Sequence, residues 1–558
     1  MTPPPPICPC LKRLLQSPNR LRYVAALAAG LLLAAAFPQL GIAGFAWVAP
    51  GAMLTAAFGT RGWRAFRIGW VAGLAHFLAS LYWLLNIPVM KLAPFIGWLV
   101  LSAYLALFTG VWTWLCWRLS PMQPADSTEG WSLQLQRFAA TRWTQRALWT
   151  LLCAAAWVAL EMVRARLFTG FPWNPLGASQ GKLVPLIQIS SVTGVHGVSF
   201  LVAWFSAALF CAGALLAAGG RYVRYAKLEV VLPLLAAVVA VAWGLRVSMR
   251  PGPAPATLKI ALVQPSIPQK LIWNPDESAN RFAKVLALSE AALTNKPDLL
   301  VWPEGVVPSF ARWETNTHHA ITNLVARHGV WLVLGSDDAA PAKNPRSPDD
   351  YDVFNGAFLV SPAGEFVAGY RKQRLVIFGE YIPLSRWLPF LNRWTGMYNF
   401  AAGDRPVPFI APSLRFKTSV LICFEDVFPQ LVRTYVEEDT DFLVNLTNDG
   451  WFGDSAAQWQ QAANAAFRAV ENGLPLVRCA NNGITCWIDA QGRMHDPFFP
   501  DTEDAYGAGF KVVSVPLLGG AKRAPTFYRQ HGDVIGWACV TIIALMLVAR
   551  LARPRHEP

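Results

Sequence analysis

Eight apolar runs set the first limit on what this chain can become. They fall near residues 23 to 39, 40 to 58, 66 to 86, 94 to 117, 147 to 163, 196 to 217, 228 to 248 and 532 to 551. Each approaches the ~17 to 25 residues that a helix needs to cross a bilayer. The composition agrees: 54% of the 558 residues are hydrophobic and only 15% are charged, too apolar for an ordinary soluble enzyme of this size. A multi-span α-helical membrane domain is therefore expected. The link from Pro38 to Gly41 is so short that the first two runs are expected to form a tight helical hairpin.

The formal net charge of +14 would suit a nucleic-acid partner if the basic residues gathered on one face of a soluble module. They lie instead between the apolar runs, as topology-setting charges do, and no nucleic-acid partner is expected. Lys12, Arg13, Arg20 and Arg22 precede the first run, and Arg61, Arg64 and Arg67 separate the second from the third. Arg118, Arg137, Arg142 and Arg146 follow the fourth, Arg221, Arg224 and Lys227 follow the sixth, and Arg550, Arg553 and Arg555 end the chain. With eight spans all five clusters fall on one side, the side that retains Lys and Arg in short loops. The opposite loops carry little beyond Lys91, Arg164, Arg166 and Lys182. This predicts a cytoplasmic tail over 1–22, a seven-helix domain over 23–250, an extracytoplasmic domain over 257–520 and a closing helix over 532–551.

Nine cysteines, at 8, 10, 116, 153, 211, 423, 479, 486 and 539, are odd in number and repeat no pair spacing, so no disulfide framework is implied. Cys8 and Cys10 sit in a Pro-rich head with no apolar region before them, which excludes a lipoprotein signal there.

Over 257–520 the pattern changes to short β-rich runs: Leu258 to Val263, Leu299 to Trp302, Trp331 to Leu334, Asn355 to Val360, Val420 to Cys423, Phe442 to Leu446, Leu476 to Cys479, Ile484 to Ile488 and Lys511 to Val515. Helical patterns intervene at Glu277 to Leu293, His318 to Arg327 and Ala456 to Glu471. Strands interleaved with helices predict a layered α/β enzyme domain.

Three motifs in this segment place a reactive side chain at a strand end: LLVWPEG with Glu304, GYRKQRLVIFGEY with Lys372 and Glu380, and VLICFED with Cys423 and Glu425. A cysteine becomes a nucleophile when its proton is removed or its thiolate stabilised, and a carboxylate with a lysine can do both. Glu304 would be the base and later the acid, while Lys372 would favour the thiolate and the oxyanion, aided by a backbone N–H just after Cys423. Each residue also has a plainer reading. A lone strand-end Cys is often a small buried hydrophobe, WPEG can be a turn with a solvated Glu, and a Lys within RKQR can be a solvated face.

In the order Glu, Lys, Cys, the three motifs resemble the catalytic set of the nitrilase, or carbon–nitrogen hydrolase, superfamily, and NLTNDGWFG (Asn445 to Gly453) and NNGIT (Asn481 to Thr485) extend the likeness. With VQPSIPQ (Val263 to Gln269), GFPWN (Gly170 to Asn174) and the spans on either side, the chain resembles the apolipoprotein N-acyltransferase family from about residue 20 to 551.

The resemblance implies an αββα sandwich for 257–520. It also implies transfer of a fatty acyl chain from a membrane phospholipid, through a Cys423 thioester, to the N-terminal amine of a diacylglyceryl apolipoprotein at the outer face of a bacterial inner membrane. It makes Glu304, Lys372 and Cys423 the catalytic residues, Glu380, Glu425 and Phe424 supporting ones, and Trp273 and Trp451 substrate contacts. No metal or cofactor enters, and a monomer is expected. Phe424 stands where the family commonly has Tyr, Ile377 replaces a usual Pro, and Gln461 a frequent His.

Within the spans, Glu161 and His76 are costly in lipid. Glu161 is expected to pair with Arg164 or Arg166, and His76 to hydrogen-bond a neighbouring helix. Two other functions stay open at this point: a membrane-tethered amidase with the same triad, and a transporter or scaffold carrying an inactive domain.

Overall fold

The computed structural model describes residues 18–89, 92–122, 131–249, 256–343, 350–383, 399–499, 502–518 and 521–552. The cysteines of the head, Lys12, Arg13, Lys91, Arg553 and Arg555 lie outside them. The chain divides into two compact units. One comprises Met1–Met249, Ser455–Ala463 and His531–Pro558, the other Arg250–Asp454 and Asn464–Gln530.

The first unit is helical, with long helices Pro18–Ala35, Gly62–Ser80, Leu92–Leu119, Trp143–Arg164, Val195–Ala218, Ala226–Ser248 and Val534–Ala552. Among the described residues four helices are long and apolar enough to cross a membrane: Leu92–Leu119, Trp143–Arg164, Val195–Ala218 and Gly220–Ser248. The second apolar run departs from the expected hairpin. It forms a 3-10 turn, Ala43–Trp47, and a nine-residue helix, Ala49–Ala57. Pro50 explains the break, because it supplies no N–H to a continuing helix and fits the first turn of a new one.

The second unit holds two six-stranded sheets. The strands, in chain order, are β1 Thr257–Gln264, β2 Leu299–Val301, β3 Trp331–Pro341, β4 Tyr351–Val360, β5 Phe366–Arg371, β6 Pro408–Ala411, β7 Phe416–Ile422, β8 Phe442–Thr447, β9 Leu476–Ala480, β10 Cys486–Ile488, β11 Met494–His495 and β12 Gly509–Pro516. One sheet runs β12-β1-β2-β3-β4-β5 and the other β11-β10-β9-β8-β7-β6. The two face each other, since the Cys479 thiol of β9 lies 3.4 Å from the carbonyls of Val263 in β1 and Val301 in β2. The central strands are buried throughout and read as continuous apolar runs, as strands covered on both faces must.

Helices Ser278–Leu293 and Thr315–His328 bury Val285, Leu293, Ile321, Leu324 and Val325 in one cluster with Ala261, Leu300 and Leu332. They cover the outer face of the first sheet. On the second sheet, parallel neighbours β8 and β9 are joined through helix Ala456–Asn472. Such a crossover packs on a sheet face, and the inner face is already occupied. The layers are those of the expected αββα sandwich. Every expected strand is present, and β5, β6 and β11 are additional.

Candidate active site

Parallel strands β1, β2 and β3 share one direction, and β5, reached through two antiparallel turns, regains it. Glu304 follows β2 and Lys372 follows β5, so both emerge from the same end of the sheet. The Glu304 turn is drawn tightly against β3. A Cβ on Gly335 would come within 2.8 Å of the Pro303 carbonyl and 2.9 Å of the Glu304 Cα, which only glycine avoids.

Lys372 Nζ donates to Glu380 Oε1 at 2.8 Å and to Glu304 Oε1 at 3.4 Å. Asn355 Nδ2 donates to the same two oxygens, at 2.7 Å for Glu304 and 2.8 Å for Glu380. Glu380 is fixed from behind by the Val376 N–H on Oε2, at 2.8 Å. Glu304 is thus held through Oε1 alone, and its Oε2 is buried with no hydrogen-bond partner.

Cys423 begins the 3-10 turn that follows β7, where the sequence had suggested the last strand residue. Its φ is +54°, a left-handed conformation that costs a non-glycine residue of order 1–3 kcal/mol and persists where surrounding contacts hold it. Those contacts are present. Asn445 Nδ2 donates to the Cys423 carbonyl at 2.8 Å, and Glu425 locks the turn. Its Oε2 accepts the Ile422 N–H, its Oε1 accepts the N–H groups of Gln373 and Arg374, and the Tyr370 hydroxyl donates to the same carboxylate. Glu425 therefore ties the cysteine turn to the segment that carries Lys372. Lys372 Nζ also lies 5.6 Å from the Phe424 ring centroid.

The electrostatics follow from burial and proximity. Burial and the Glu304 charge push the Cys423 thiol well above its ordinary value, against a downward pull from Lys372. Burial raises Glu304, Lys372 lowers it, and the Glu380 charge raises it further. For Lys372, burial works against the ammonium, but the Glu380 and Glu304 carboxylates outweigh it and keep it charged. These shifts favour a neutral thiol beside a cation and a carboxylate with raised proton affinity, a set suited to general base chemistry.

Trp273 and Trp451, expected as substrate contacts, meet edge to face at 5.1 Å between centroids. Asparagines from the two later motifs hold their loops. Asn448 donates to Gln269 Oε1 at 2.8 Å, and Asn481 donates to Asn448 Oδ1 and to the Ile267 carbonyl. Trp273 remains 45% exposed, so the pair offers an apolar surface rather than a core contact.

Three contributors escaped the sequence reading. Asn355 is one; its signal was a polar residue inside the apolar run of β4. Tyr370 is another, bonded to both Glu425 and the Tyr435 hydroxyl. The third is Asp337, which faces Asn355 across the β3–β4 ladder. Its side chain keeps an exposed face, yet desolvation by the surrounding protein, with the Glu304 and Glu380 charges, raises it to about 7. In the helical unit two expectations fail. Glu161 pairs with His196 at 3.3 Å rather than with Arg164 or Arg166, and Arg166 pairs with Asp533. The first follows from chain geometry, because Glu161 Oε1 is already taken by Trp157 Nε1 and the Leu176 N–H. His76 Nδ1 is buried without a partner, its ring packed beside Phe37 and Phe77.

Known proteins share this arrangement in sequence. The carbon–nitrogen hydrolase family model matches residues 259–503, and the model of the apolipoprotein N-acyltransferase N-terminal domain matches residues 29–208. An apolipoprotein N-acyltransferase of Geobacter metallireducens is 36% identical over 560 residues, 96% of this chain and 96% of that protein. One of Rickettsia prowazekii is 31% identical over 435 residues, 77% of this chain and 80% of the relative. Among solved structures, an amidase from Nesterenkonia sp. aligns over 46% of this chain and 90% of its own, at 20% identity and a TM-score of 0.34. With identity of this extent running end to end and both family models in order along it, the chain belongs to the apolipoprotein N-acyltransferase family.

Proposed function

We propose that this bacterial membrane enzyme moves a fatty acyl chain from a phospholipid to the α-amine of a diacylglyceryl apolipoprotein, with Cys423 carrying the chain between them. The observation that supports it best is the half-satisfied Glu304 carboxylate. Oε1 is pinned by Lys372 and Asn355, while Oε2 is open beside a thiol that its charge reaches.

In the first half-reaction Glu304 takes the Cys423 proton and the sulfur attacks the ester carbonyl. Lys372 and the Phe424 backbone N–H stabilise the oxyanion. Glu304 then returns its proton to the departing lysophospholipid oxygen. In the second, the apolipoprotein amine attacks the thioester, Glu304 accepts the amine proton and gives it to the thiolate, and the amide is released. Two half-reactions on one thiol give ping-pong kinetics. Trp273 and Trp451 supply apolar surface for the chain. The amidase alternative uses the same triad with water as acceptor, and both the relatives and the apolar helices favour the acyltransferase.

The finer organisation belongs to the same reading. Eight spans, a cytoplasmic tail over 1–22, helices within 23–250 and 532–551, and a catalytic domain over 257–520 facing the periplasm from the inner membrane follow from the positions of the Lys and Arg clusters. The enzyme acts as a monomer without cofactor. A reporter fused after Arg555 should behave as cytoplasmic and one inserted near Asn344 as exported; the reverse pattern rejects the arrangement. The activity is tested by supplying acyl-labelled phospholipid and a diacylglyceryl peptide. Label should appear as a hydroxylamine-resistant amide, and none should transfer when the peptide amine is acetylated. Release as free fatty acid at the same rate without acceptor would reject acyl transfer.

A further inference from the structure

The helical unit contains a cavity that no catalytic residue lines. The cavity, open at the surface, lies among Leu33, Phe37, Phe108, Trp112, Trp157 and Leu160 on the apolar side, with His76, Glu161, Arg164 and Asn174 at the polar side. An apolar void inside such a unit would need no explanation. This one is bordered by four buried polar atoms with no hydrogen-bond partner: His76 Nδ1, Arg164 Nε, and both Nδ2 and Oδ1 of Asn174. The three side chains belong to residues only 3%, 7% and 4% exposed.

Arg164 is the unusual member. A buried guanidinium without a close counter-ion is costly, and more so where the surroundings are lipid. Its contacts are an N–H to the Asn174 carbonyl at 3.3 Å and the Phe77 ring face at 5.7 Å. No carboxylate lies within 4 Å of it among the described residues. Glu161, one turn earlier, offsets part of the charge through space. Its oxygens are committed elsewhere, to Trp157 Nε1, the Leu176 N–H and His196 Nδ1.

The groups left over are mainly donors: the guanidinium Nε–H, the Asn174 amide N–H and a His76 ring nitrogen whose tautomer adapts. What satisfies them is an acceptor-rich group, and the charge left on Arg164 favours an anion. The aromatic and leucine wall gives the rest of the ligand an apolar lodging. We infer that this cavity binds the anionic head, phosphate or carboxylate, of a single-chain amphiphile whose alkyl chain lies along Phe37, Phe108, Trp112 and Leu160. The site is additional to the one at Cys423.

The test uses the full-length Cys423→Ala protein, delipidated in a neutral detergent, with dodecyl phosphate, dodecanoate and dodecanol as probes in equilibrium dialysis. The two anions should bind at least about tenfold more tightly than the alcohol, the scale of a charge-assisted hydrogen bond. Preference for phosphate over carboxylate identifies a phospholipid-derived head, and the reverse a free fatty acid. A diazirine-bearing dodecyl phosphate should label peptides containing Phe37, Phe108 or Leu160. Arg164→Gln should reduce binding and labelling by a comparable factor. If that variant does not fold, Asn174→Leu removes the amide without touching the cation and should weaken binding several-fold. Equal binding of anions and alcohol, absence of label from those peptides, or labelling unchanged in a folded variant overturns the inference and leaves the cavity to ordered water. Thioester formation at Cys423 in the wild-type protein, measured separately, reports on the proposed reaction independently of this result.

Discussion

Two buried ionic clusters of nearly the same composition sit in the catalytic unit, and they are built to opposite ends. Around Arg478, the guanidinium meets Asp426 at 3.0 Å, Asp449 at 2.8 Å and the Ile484 carbonyl at 3.0 Å. Asn445 adds a further acceptor at 3.3 Å, and none of these side-chain atoms is left unpartnered. Around Lys372, two carboxylates again share one cation, with an asparagine beside them, but Glu304 keeps an open oxygen. A satisfied network fixes geometry, and an incomplete one retains a site for a moving proton. Burial is common to both clusters; the open Glu304 oxygen is what sets the proposed catalytic one apart from the Arg478 one.

Substitutions should pull the clusters apart. Cys423→Ala should abolish acyl transfer altogether while leaving the melting temperature close to wild type, because the thiol is the proposed acyl carrier and its side chain is small. Arg478→Met should do the reverse. It strands two buried carboxylates and should cost about 3–5 kcal/mol of folding stability, read as a large fall in melting temperature, with activity lost only in proportion to unfolding. An Arg478→Met protein that melts normally yet is inactive would erase the distinction.

Glu304→Gln keeps the shape and the Asn355 contact but cannot take a proton. Thioester formation should slow by a factor on the order of a hundred or more, with stability unchanged or slightly raised because a desolvated charge is gone. Glu425→Gln acts at one remove, through the N–H groups of Ile422, Gln373 and Arg374. It should slow thioester formation by about tenfold while lowering melting temperature modestly, the signature of a positioning residue.

The smallest effect is in pH. Since burial and Glu380 raise Glu304, and the base works only when ionised, thioester formation should be lost as pH falls through a value above the ordinary glutamate range. Asp337 is raised to about 7 by burial and by the Glu304 and Glu380 charges, so Glu304 ionises first and Asp337 is neutral over that limb. Asp337→Asn should therefore leave the acid limb in place. A shift of the limb in either direction would show that Asp337 carries charge there.

The sequence exposed the outer parts of both clusters unevenly. Glu304, Lys372 and Cys423 were legible because each sits in a short motif at a strand end. All nine expected strands formed, the central ones because covered strands read as mostly apolar runs. Asn355 and Tyr370 were not legible. They belong to β4 and β5, where Asn355 acquires its role from Glu304 and Glu380, beyond the ends of other strands of its sheet, and Tyr370 from Glu425 and Tyr435, which follow β7 of the opposite sheet. The left-handed backbone at Cys423 was equally hidden, since contacts from Asn445 and Glu425, distant or local, impose it. In the helical unit, the Glu161 partner His196 lies 35 residues away, and proximity in sequence points instead to Arg164 and Arg166. The division of the second apolar run is not legible from hydropathy alone, which suggests continuity where Pro50 starts a new helix.

The most direct test of the central claim is intact-protein mass spectrometry after incubation with phospholipid, followed by a diacylglyceryl-peptide acceptor. The wild-type chain should gain one acyl mass, localised to Cys423, that persists in water and disappears when the peptide amine is added, with the peptide gaining the same mass as an amide. No adduct on Cys423, or an adduct discharged by water as readily as by the amine, would contradict the account and leave a hydrolase in its place.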